Sequence, residues 1–301
     1  MMLMSRSNHT GKVILAGAGP GDPGLLTLKT LRHLQDADVV LADRLVSDEI
    51  LNCYVNPRAE IIYVGKQCRK GNSTPQATIN ELMVEHARAG KHVVRLKGGD
   101  VSIFSNILDE LQALVKENIA YEIVPGVTAA LGAAAYSGIP LTARGYSTAV
   151  RFVTSYRSDV VTEEYWKELA STSDTLVFYM SAETLGDVVD HLLKYNISED
   201  KKLAVIGQAT TSQQHVVTCA LKDFVQQDYI SPTIAIIGRV VALHDDFGWI
   251  ENREQPGEYF KGVGKRAPRR RGWREAPGVE LQYQLVNNDD YRNTNNTEQT
   301  N

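Results

Sequence analysis

Two glycines and an acid at the end of an apolar run are the residues best suited to bind a ligand. Residues 93–97 are rich in β-branched side chains, which is typical of a buried strand. The run ends at Gly98 and Gly99, which permit unusual backbone angles and leave room for a ligand beside the main chain. Asp100 follows and can accept a hydrogen bond from an amino or hydroxyl group. Ligands of open α/β sheets bind beyond the carboxyl ends of the strands, so this turn is a candidate site.

A second glycine-rich loop follows the first predicted strand. Gly17 and Gly19, with Asp43 at the end of the next strand, are similar to a dinucleotide-binding loop. That motif requires a third glycine where this chain has Asp22, and Pro20 lacks the N–H that a phosphate would accept from. The pattern therefore argues against a dinucleotide site.

The elements that must position these loops alternate between strand and helix. In the first half, the predicted strands are residues 12–16, 39–42, 61–64, 93–97 and 121–124, with helices at 25–34, 75–89 and 107–117. This alternation predicts a mainly parallel, doubly wound sheet. In the second half, strands are predicted at 150–154, 175–180, 203–206 and 233–238, with a helix at 185–195. The fold class is therefore two α/β domains, the second with some antiparallel pairing.

The predicted organisation is a flexible start (1–10), an N-terminal α/β domain (11–124), a C-terminal α/β domain (125–245) and a tail (246–301). The tail holds seven basic residues and no acid within 261–274, followed by an Asn- and Thr-rich end. Such composition predicts disorder, and hence a tail that is dispensable for turnover. The alternative for the basic run is a patch that binds a polyanion, although nucleic acid is not the expected partner.

The composition limits the function classes. The chain has 301 residues, 43% of them apolar, and a net charge of -4, which gives no general reason to expect nucleic acid or a membrane surface. Its three cysteines form no CxxC pair, which favours a reducing compartment. The first ten residues lack the apolar core of a signal peptide, and no apolar run has transmembrane length. We expect a cytoplasmic protein without a metal site.

Taken together, the loops resemble the tetrapyrrole methylase family, whose members use S-adenosylmethionine (SAM). The resemblance is strongest to the branch that methylates uroporphyrinogen III. The matching blocks are residues 17–22, 25–28, 43–47, 64–66, 95–100, 124–129, 135–142, 176–180 and 238–241.

The resemblance implies two α/β domains with SAM in the cleft between them, usually in a homodimer. It assigns to SAM a set of residues on several loops: Pro20, Gly98, Gly99, Asp100, Ile103, Thr128, Ala129, Met180 and Ala209. Asp43 matches the position of the proton acceptor, and Lys66 that of the proton donor. The alternatives are that Asp43 caps a helix or pairs with Arg44, that Lys66 is an exposed lysine, and that Met180 belongs to the core.

The implied reaction is methylation of uroporphyrinogen III at two ring carbons. It gives precorrin-2 by way of precorrin-1, for sirohaem or cobalamin synthesis. The substrate carries eight carboxylates, and four basic residues are candidates to bind them: Arg95, Lys97, Arg144 and Arg151. The first two could equally be surface charges at the end of a strand.

Two stretches beside the cofactor residues depart from the family. The family motif Pro-Phe-aliphatic-Phe-Gly-Arg-Gly is replaced by residues 101–107, and Glu-Asn-Gly is replaced by residues 207–209. Two alternatives therefore stay open. One is a relative that acts on a corrin intermediate, a protein or RNA. The other is a non-catalytic SAM-binding protein that uses its basic tail for a polyanionic partner.

Overall fold

The structure is a computed structural model that describes residues 11–65, 74–154, 162–252 and 256–260. Lys66 and the basic run 261–274 lie outside these ranges. Within them, no helix is both long and apolar enough to cross a membrane. The same ranges contain no group of His, Cys, Asp and Glu side chains that could hold a metal ion.

Five parallel strands form the first sheet. They are β1 (Lys12–Gly17), β2 (Val39–Ala42), β3 (Glu60–Tyr63), β4 (His92–Lys97) and β5 (Ala120–Val124), in the spatial order β3-β2-β4-β1-β5. Four helices lie between them: α1 (Leu28–Asp36), α2 (Asp48–Cys53), α3 (Gln76–Arg88) and α4 (Ile107–Lys116). The three central strands are almost wholly buried because helices cover both faces of the sheet. The predicted parallel sheet is confirmed.

The helices that follow β1 and β4 lie on opposite faces of this sheet. Ile14 of β1 shares a core cluster with Leu34 of α1, whereas its neighbour Leu15 shares a cluster with Leu114 of α4. Neighbouring strands whose connections leave to opposite faces open a crevice at their carboxyl ends, where α/β folds bind ligands. The crevice in this sheet lies between β1 and β4, whose ends carry the two glycine loops.

The second sheet is mixed. Its strands are β6 (Val150–Thr154), β7 (Thr175–Tyr179), β8 (Lys202–Gly207), β9 (His215–Ala220) and β10 (Thr233–Gly238), in the order β6-β7-β10-β8-β9. Only β6 and β7 pair in parallel among these strands. The other α-helices of the described residues are α5 (Ala129–Tyr136), α6 (Glu163–Ser171), α7 (Leu185–Lys194) and the short α8 (His244–Phe247). The strand β9 was not predicted, because this edge strand is mostly half-buried and so lacks a strong apolar signal.

Helix α5 contacts both halves of the protein because its residues are small. Ala130 and Ala133 lie in the core of the second sheet, together with Ile236. On another side, a Cβ on Gly132 would lie 2.6 Å from Cγ of Pro20, in the loop after β1. Larger side chains at these positions would hold the two halves apart.

Part of the predicted tail contacts the body of the protein. The Trp249 indole donates a hydrogen bond to the Ala135 carbonyl, with Nε1 2.8 Å from the oxygen. The Asn252 side chain accepts from N–H and donates to C=O of Val216, on the edge strand β9. Phe260 is only 2% exposed. These contacts correct the prediction that the unstructured tail begins at residue 246: residues 246–252 and 256–260 belong to the folded part.

Candidate active site

Three glycine-containing loops meet at the carboxyl ends of β1, β4 and β5. A Cβ on Gly17 would lie 2.6 Å from the Gly99 carbonyl oxygen and 2.7 Å from Cα of Gly126. Gly19 and Gly99 also exchange two backbone hydrogen bonds, of 3.1 and 2.8 Å. Gly99 has a φ of +67°, in the left-handed region that favours glycine. Main chain therefore contacts main chain at this point.

The loop after β2 lies against the Gly98 turn. A Cβ on Gly98 would lie 2.6 Å from Cβ of Leu45, which explains why glycine is needed there. In the same loop, the Asp43 N–H donates to the Leu96 carbonyl at 2.9 Å. The half-buried Asp43 carboxylate accepts one bond from the Arg44 N–H through Oδ1, at 2.8 Å. Among the described residues, no donor binds its Oδ2.

Asp100 uses both of its carboxylate oxygens within the protein. Oδ1 accepts from the N–H and the hydroxyl of Ser102, and Oδ2 accepts from the Gly126 N–H at 2.9 Å. Burial disfavours the charged carboxylate, but these hydrogen bonds outweigh it and hold the pKa of Asp100 below its ordinary value. Asp100 thus ties the loop after β4 to the loop after β5.

Tyr179, which the sequence does not single out as a site residue, connects the second sheet to the start of α5. Its hydroxyl lies 2.6 Å from Thr128 Oγ1 and accepts from the Ala130 N–H at 3.0 Å. Burial raises the pKa of this phenol, so the hydroxyl stays protonated. The rings of Phe104 and Phe152 lie around it, at centroid distances of 5.0 and 5.9 Å.

Non-glycine residues with positive φ occur at or beside positions that the resemblance assigns to SAM in the second half. Met180 directly follows β7 with a φ of +55° and is 49% exposed, so it is not a core residue. Gln208 and Thr210, on either side of the buried Ala209, have φ values of +47° and +66°. This conformation is a genuine outlier for a β-branched residue such as Thr210. Backbone strain of this kind is concentrated at functional sites.

Asp22 joins the loop after β1 to the second half. It is 4% exposed, and its N–H donates to Thr210 Oγ1 at 3.1 Å. Its carboxylate accepts from the Tyr136 hydroxyl at the end of α5 and from the Gly24 N–H. Both acid and phenol fall within blocks that resemble the family, but only the fold brings them together.

Arg95 and Lys97 are not surface charges. They are 4% and 3% exposed, and both bind the fully buried Glu110 of α4, at 2.9 and 2.8 Å. Burial and the nearby Arg95 lower the pKa of Lys97, although Glu110 acts in the opposite direction. Lys97 is the last residue of β4 and directly precedes the turn at Gly98.

The other two candidate cations differ from each other. Arg151 binds Asp174 and Glu168, at 2.6 and 2.5 Å. It lies on the opposite face of the second sheet from Phe152, so the structure places it away from Tyr179 and α5. Arg144 is exposed in the turn before β6, and no described residue pairs with it.

Several residues that the resemblance assigns to SAM lie near α5. An added Cβ on Gly99 would lie 3.6 Å from Ala129 N and 4.0 Å from Thr128 Cα. Ile103 packs against the cluster that contains Ala209. Backbone groups therefore meet at the first turn of α5 without intervening side chains, which fits a small ligand bound between the two halves. Lys66, the predicted proton donor, lies outside the described residues.

Known proteins share this architecture. The family Tetrapyrrole (Corrin/Porphyrin) Methylases matches residues 12–225. The chain belongs to this family. Its resemblance to tetrapyrrole methylases is thereby confirmed, as is the α/β fold class.

Curated relatives include two longer proteins. Siroheme synthase 2 of Aeromonas hydrophila is 44% identical over 252 residues, which cover 83% of this chain and 53% of the relative. Siroheme synthase of Pseudomonas fluorescens is 45% identical over 249 residues, or 81% of this chain and 53% of the relative. The chain thus spans about half the length of the curated relatives it matches.

Among solved structures, a uroporphyrin-III-C-methyltransferase from Thermus thermophilus is 33% identical with a TM-score of 0.67. The match covers 79% of this chain and 96% of that one. A structure of the Thermus enzyme complexed with S-adenyl homocysteine is 34% identical with a TM-score of 0.66, and covers 77% and 100% of the two chains. The likeness thus extends over 96% and 100% of the two Thermus thermophilus chains.

Proposed function

We propose that the protein is a SAM-dependent methyltransferase that converts uroporphyrinogen III to precorrin-2 through precorrin-1. Membership in the tetrapyrrole methylase family supports this proposal, as does the likeness to the Thermus enzyme complexed with S-adenyl homocysteine. The observation that carries it is the convergence of loops from both sheets on the first turn of α5. The proposal is limited to methyl transfer, whatever else the longer relatives do.

SAM would supply a methyl group on a positively charged sulfur, and this chain would hold it in line with the ring carbon. Gly98, Gly99 and Asp100 would line one side of the binding site, with Pro20 and Ile103. Thr128, Ala129, Met180 and Ala209 would line the other. Asp100 would act through the loop shape that it fixes, because both of its oxygens already accept hydrogen bonds.

Asp43 would remove the ring proton after methylation. Methylation of a ring carbon leaves a cationic, imine-like ring, and loss of a proton restores the neutral ring. The carboxylate of Asp43 is half-buried beside the Gly98 turn and has one oxygen that accepts no bond from the described residues. Lys66 would be the proton donor, on the resemblance alone.

The eight substrate carboxylates need cations that are not already paired. Arg144 meets this condition among the described residues, because it is exposed and unpaired there. Arg95 and Lys97 would support the Gly98 turn through Glu110 instead. Arg151 is already paired with two carboxylates and is not part of this proposal. A cytoplasmic homodimer in sirohaem or cobalamin synthesis completes the proposed setting.

The test is incubation with SAM and freshly made uroporphyrinogen III, followed by mass detection of the tetrapyrrole. We expect two methyl additions and two molecules of S-adenosylhomocysteine per tetrapyrrole. A monomethylated ring should accumulate at limiting SAM and disappear at excess SAM, because one site must exchange its cofactor between transfers.

The other outcomes contradict the proposal in different ways. A stable single addition indicates a relative with one target carbon. Binding of S-adenosylhomocysteine without any mass gain on fresh substrate indicates a non-catalytic SAM-binding protein. Absence of both in a folded sample rejects the whole assignment.

A further inference from the structure

Residues 256–260 lie beyond the family match, which ends at residue 225, yet they contact the site from one side. Here they are called the C-terminal strap. The sequence gives little sign of it, because only Tyr259 and Phe260 interrupt a polar stretch. Both aromatic side chains pack against the body of the protein: Tyr259 is half-buried, and Phe260 is almost completely buried.

The strap binds the loop after β8 through one amide side chain. Gln208 is 1% exposed, and its Nε2 donates to the Gly257 carbonyl at 2.7 Å. Its Oε1 accepts from the Tyr259 N–H at 2.6 Å. In addition, the Gly257 N–H donates to Gln213 Oε1 at 2.7 Å. Both ends of the Gln208 amide are therefore occupied by the strap, directly before Ala209.

The strap also binds the loops of the first half. The Tyr259 hydroxyl interacts with the side chains of Ser47 and Glu49, and burial raises its pKa to about 12. Ser47 is 2% exposed and caps α2, because its hydroxyl accepts from the Ile50 N–H at 3.2 Å. The Phe260 ring lies beside the loop after β1, where a Cβ on Gly21 would be 3.3 Å from its Cζ.

We propose that the C-terminal strap is part of the methyltransferase site, because it fixes the Asp43 loop of the first half against the Ala209 loop of the second. Tyr259 is a positioning residue that acts through Ser47 on the loop carrying Asp43. Gln208 is a positioning residue that holds the strained turn around Ala209. This inference rests on the proposed function for the reaction, whereas its cofactor-binding part does not require the tetrapyrrole.

Loop strain explains why such a strap is needed. Gln208 and Thr210 both have positive φ, a conformation that persists only when surrounding contacts hold it. Thr210 is held by Asp22 and Gln214, at 3.1 and 2.8 Å. The strap holds the side chain of Gln208, whereas the Gln208 N–H donates to the Pro232 carbonyl at 2.7 Å and the Gln208 carbonyl accepts from the Thr211 hydroxyl at 2.8 Å. The strap contacts both the loop that carries Ala209 and the loop that carries Asp43.

Two shortened chains test the strap as a whole. One ends at Phe260 and lacks residues 261–301, and the other ends at Asn252 and also lacks the strap. Binding of S-adenosylhomocysteine is measured by calorimetry. We expect the first to match the full chain within about twofold, and the second to bind roughly tenfold more weakly or worse. Equal affinity of the two folded chains would overturn the inference.

Two single substitutions keep the test decisive if the shorter chain does not fold. Gln208→Met removes both amide hydrogen bonds at similar length, and we expect its dissociation constant for S-adenosylhomocysteine to rise about tenfold. Tyr259→Phe removes only the hydroxyl, and we expect kcat to fall about fivefold with an unchanged KM for SAM. Tyr165→Phe, on the partly exposed Tyr165 of α6, is the matched control and should change neither.

The dissociation constant of Gln208→Met and the kcat and KM of Tyr259→Phe separate a positioning role from a purely structural one. A structural role would lower the melting temperature of both variants and leave dissociation constant, KM and kcat unchanged at 25 °C, which would overturn the inference. If the full chain binds S-adenosylhomocysteine but does not methylate uroporphyrinogen III, the proposed function fails. The comparison of binding between the two shortened chains still stands in that case.

Discussion

The buried cluster of Arg95, Lys97 and Glu110 predicts a large and pH-dependent loss of stability in Glu110→Gln. Glu110 is fully buried and is the carboxylate partner of both cations, at 2.9 and 2.8 Å. Removal of one partner from a buried ion pair typically costs about 3–5 kcal/mol. Glutamine retains one acceptor oxygen, and Lys97 can lose its proton, so we expect the lower end, about 3 kcal/mol. For a chain of this size, that corresponds to a fall in Tm of roughly 6–12 °C.

The sign of the pH dependence follows from Lys97. Its pKa in the folded protein is below the unfolded value of 10.5, because of burial and Arg95. Between the two pKa values the unfolded state binds more protons, so this group makes stability rise with pH. Glu110 raises the pKa of Lys97, so in Glu110→Gln the pKa of Lys97 in the folded protein is lower still. The pH range over which stability rises therefore begins at a lower pH in the variant. The stability difference between wild type and variant should therefore shrink as pH approaches 10.5.

The assay is urea denaturation of both proteins at pH 7 and pH 10. The matched control is Asp109→Asn, which removes the same charge from the same turn of α4 at a half-buried position. Both acids lie near the N-terminus of α4, where a carboxylate gains about 0.3–1 kcal/mol from the helix dipole. Both variants lose this interaction, so it cancels in the comparison. A Glu110→Gln variant no less stable than Asp109→Asn at pH 7 would refute the reasoning. A difference that does not shrink at pH 10 would refute the role of Lys97.

Three further predictions concern the site. Gly99→Val should abolish S-adenosylhomocysteine binding in calorimetry, because Gly99 has a φ of +67° that valine disfavours. The control Gly186→Val should bind normally, because the atom nearest to an added Cβ there is Oε1 of Gln226, at 3.5 Å. Asp43→Asn should retain cofactor affinity but lose roughly 10²–10⁴-fold in kcat, and unchanged turnover would mean that another group is the base. Arg144→Ala should raise KM for the tetrapyrrole roughly tenfold at low salt and less at high salt, whereas Arg32→Ala, at another exposed arginine, should not.

The fold was largely predictable because its signals are local. Buried central strands such as β2 appear in the sequence as continuous apolar runs, and glycines mark their ends. The strand β9 was missed because its half-buried edge carries no such run. The tail was misjudged because composition, averaged over residues 246–301, conceals the few side chains that the body binds.

The site was less predictable because its partners are distant in sequence. Arg95 and Lys97 are equally suited to the surface on local sequence alone, since nothing local shows that both bind Glu110 of α4. The contact of Asp22 with Tyr136 spans 114 residues. Motif similarity indicates which residues matter at such a site, but the fold decides which of them are already paired.

Met180 offers a way to separate strain from ligand contact. It has a φ of +55°, is about half exposed, and directly follows Tyr179, whose hydroxyl binds the start of α5. A left-handed conformation costs a non-glycine residue about 1–2 kcal/mol, of which glycine avoids most. If Met180 is strained in order to present its side chain to the cofactor, relief of the strain should stabilise the fold without restoring binding.

The comparison of Met180→Gly with Met180→Ala tests this idea, since both lose the same thioether side chain. We expect equally weakened binding of S-adenosylhomocysteine in calorimetry. In urea denaturation, the glycine variant should be more stable than the alanine variant by about 1 kcal/mol, after the entropic cost of glycine is subtracted. Equal stability would show that the conformation carries no strain. Unchanged binding in both variants would remove Met180 from the cofactor site and leave its conformation as a consequence of the Tyr179 contact alone.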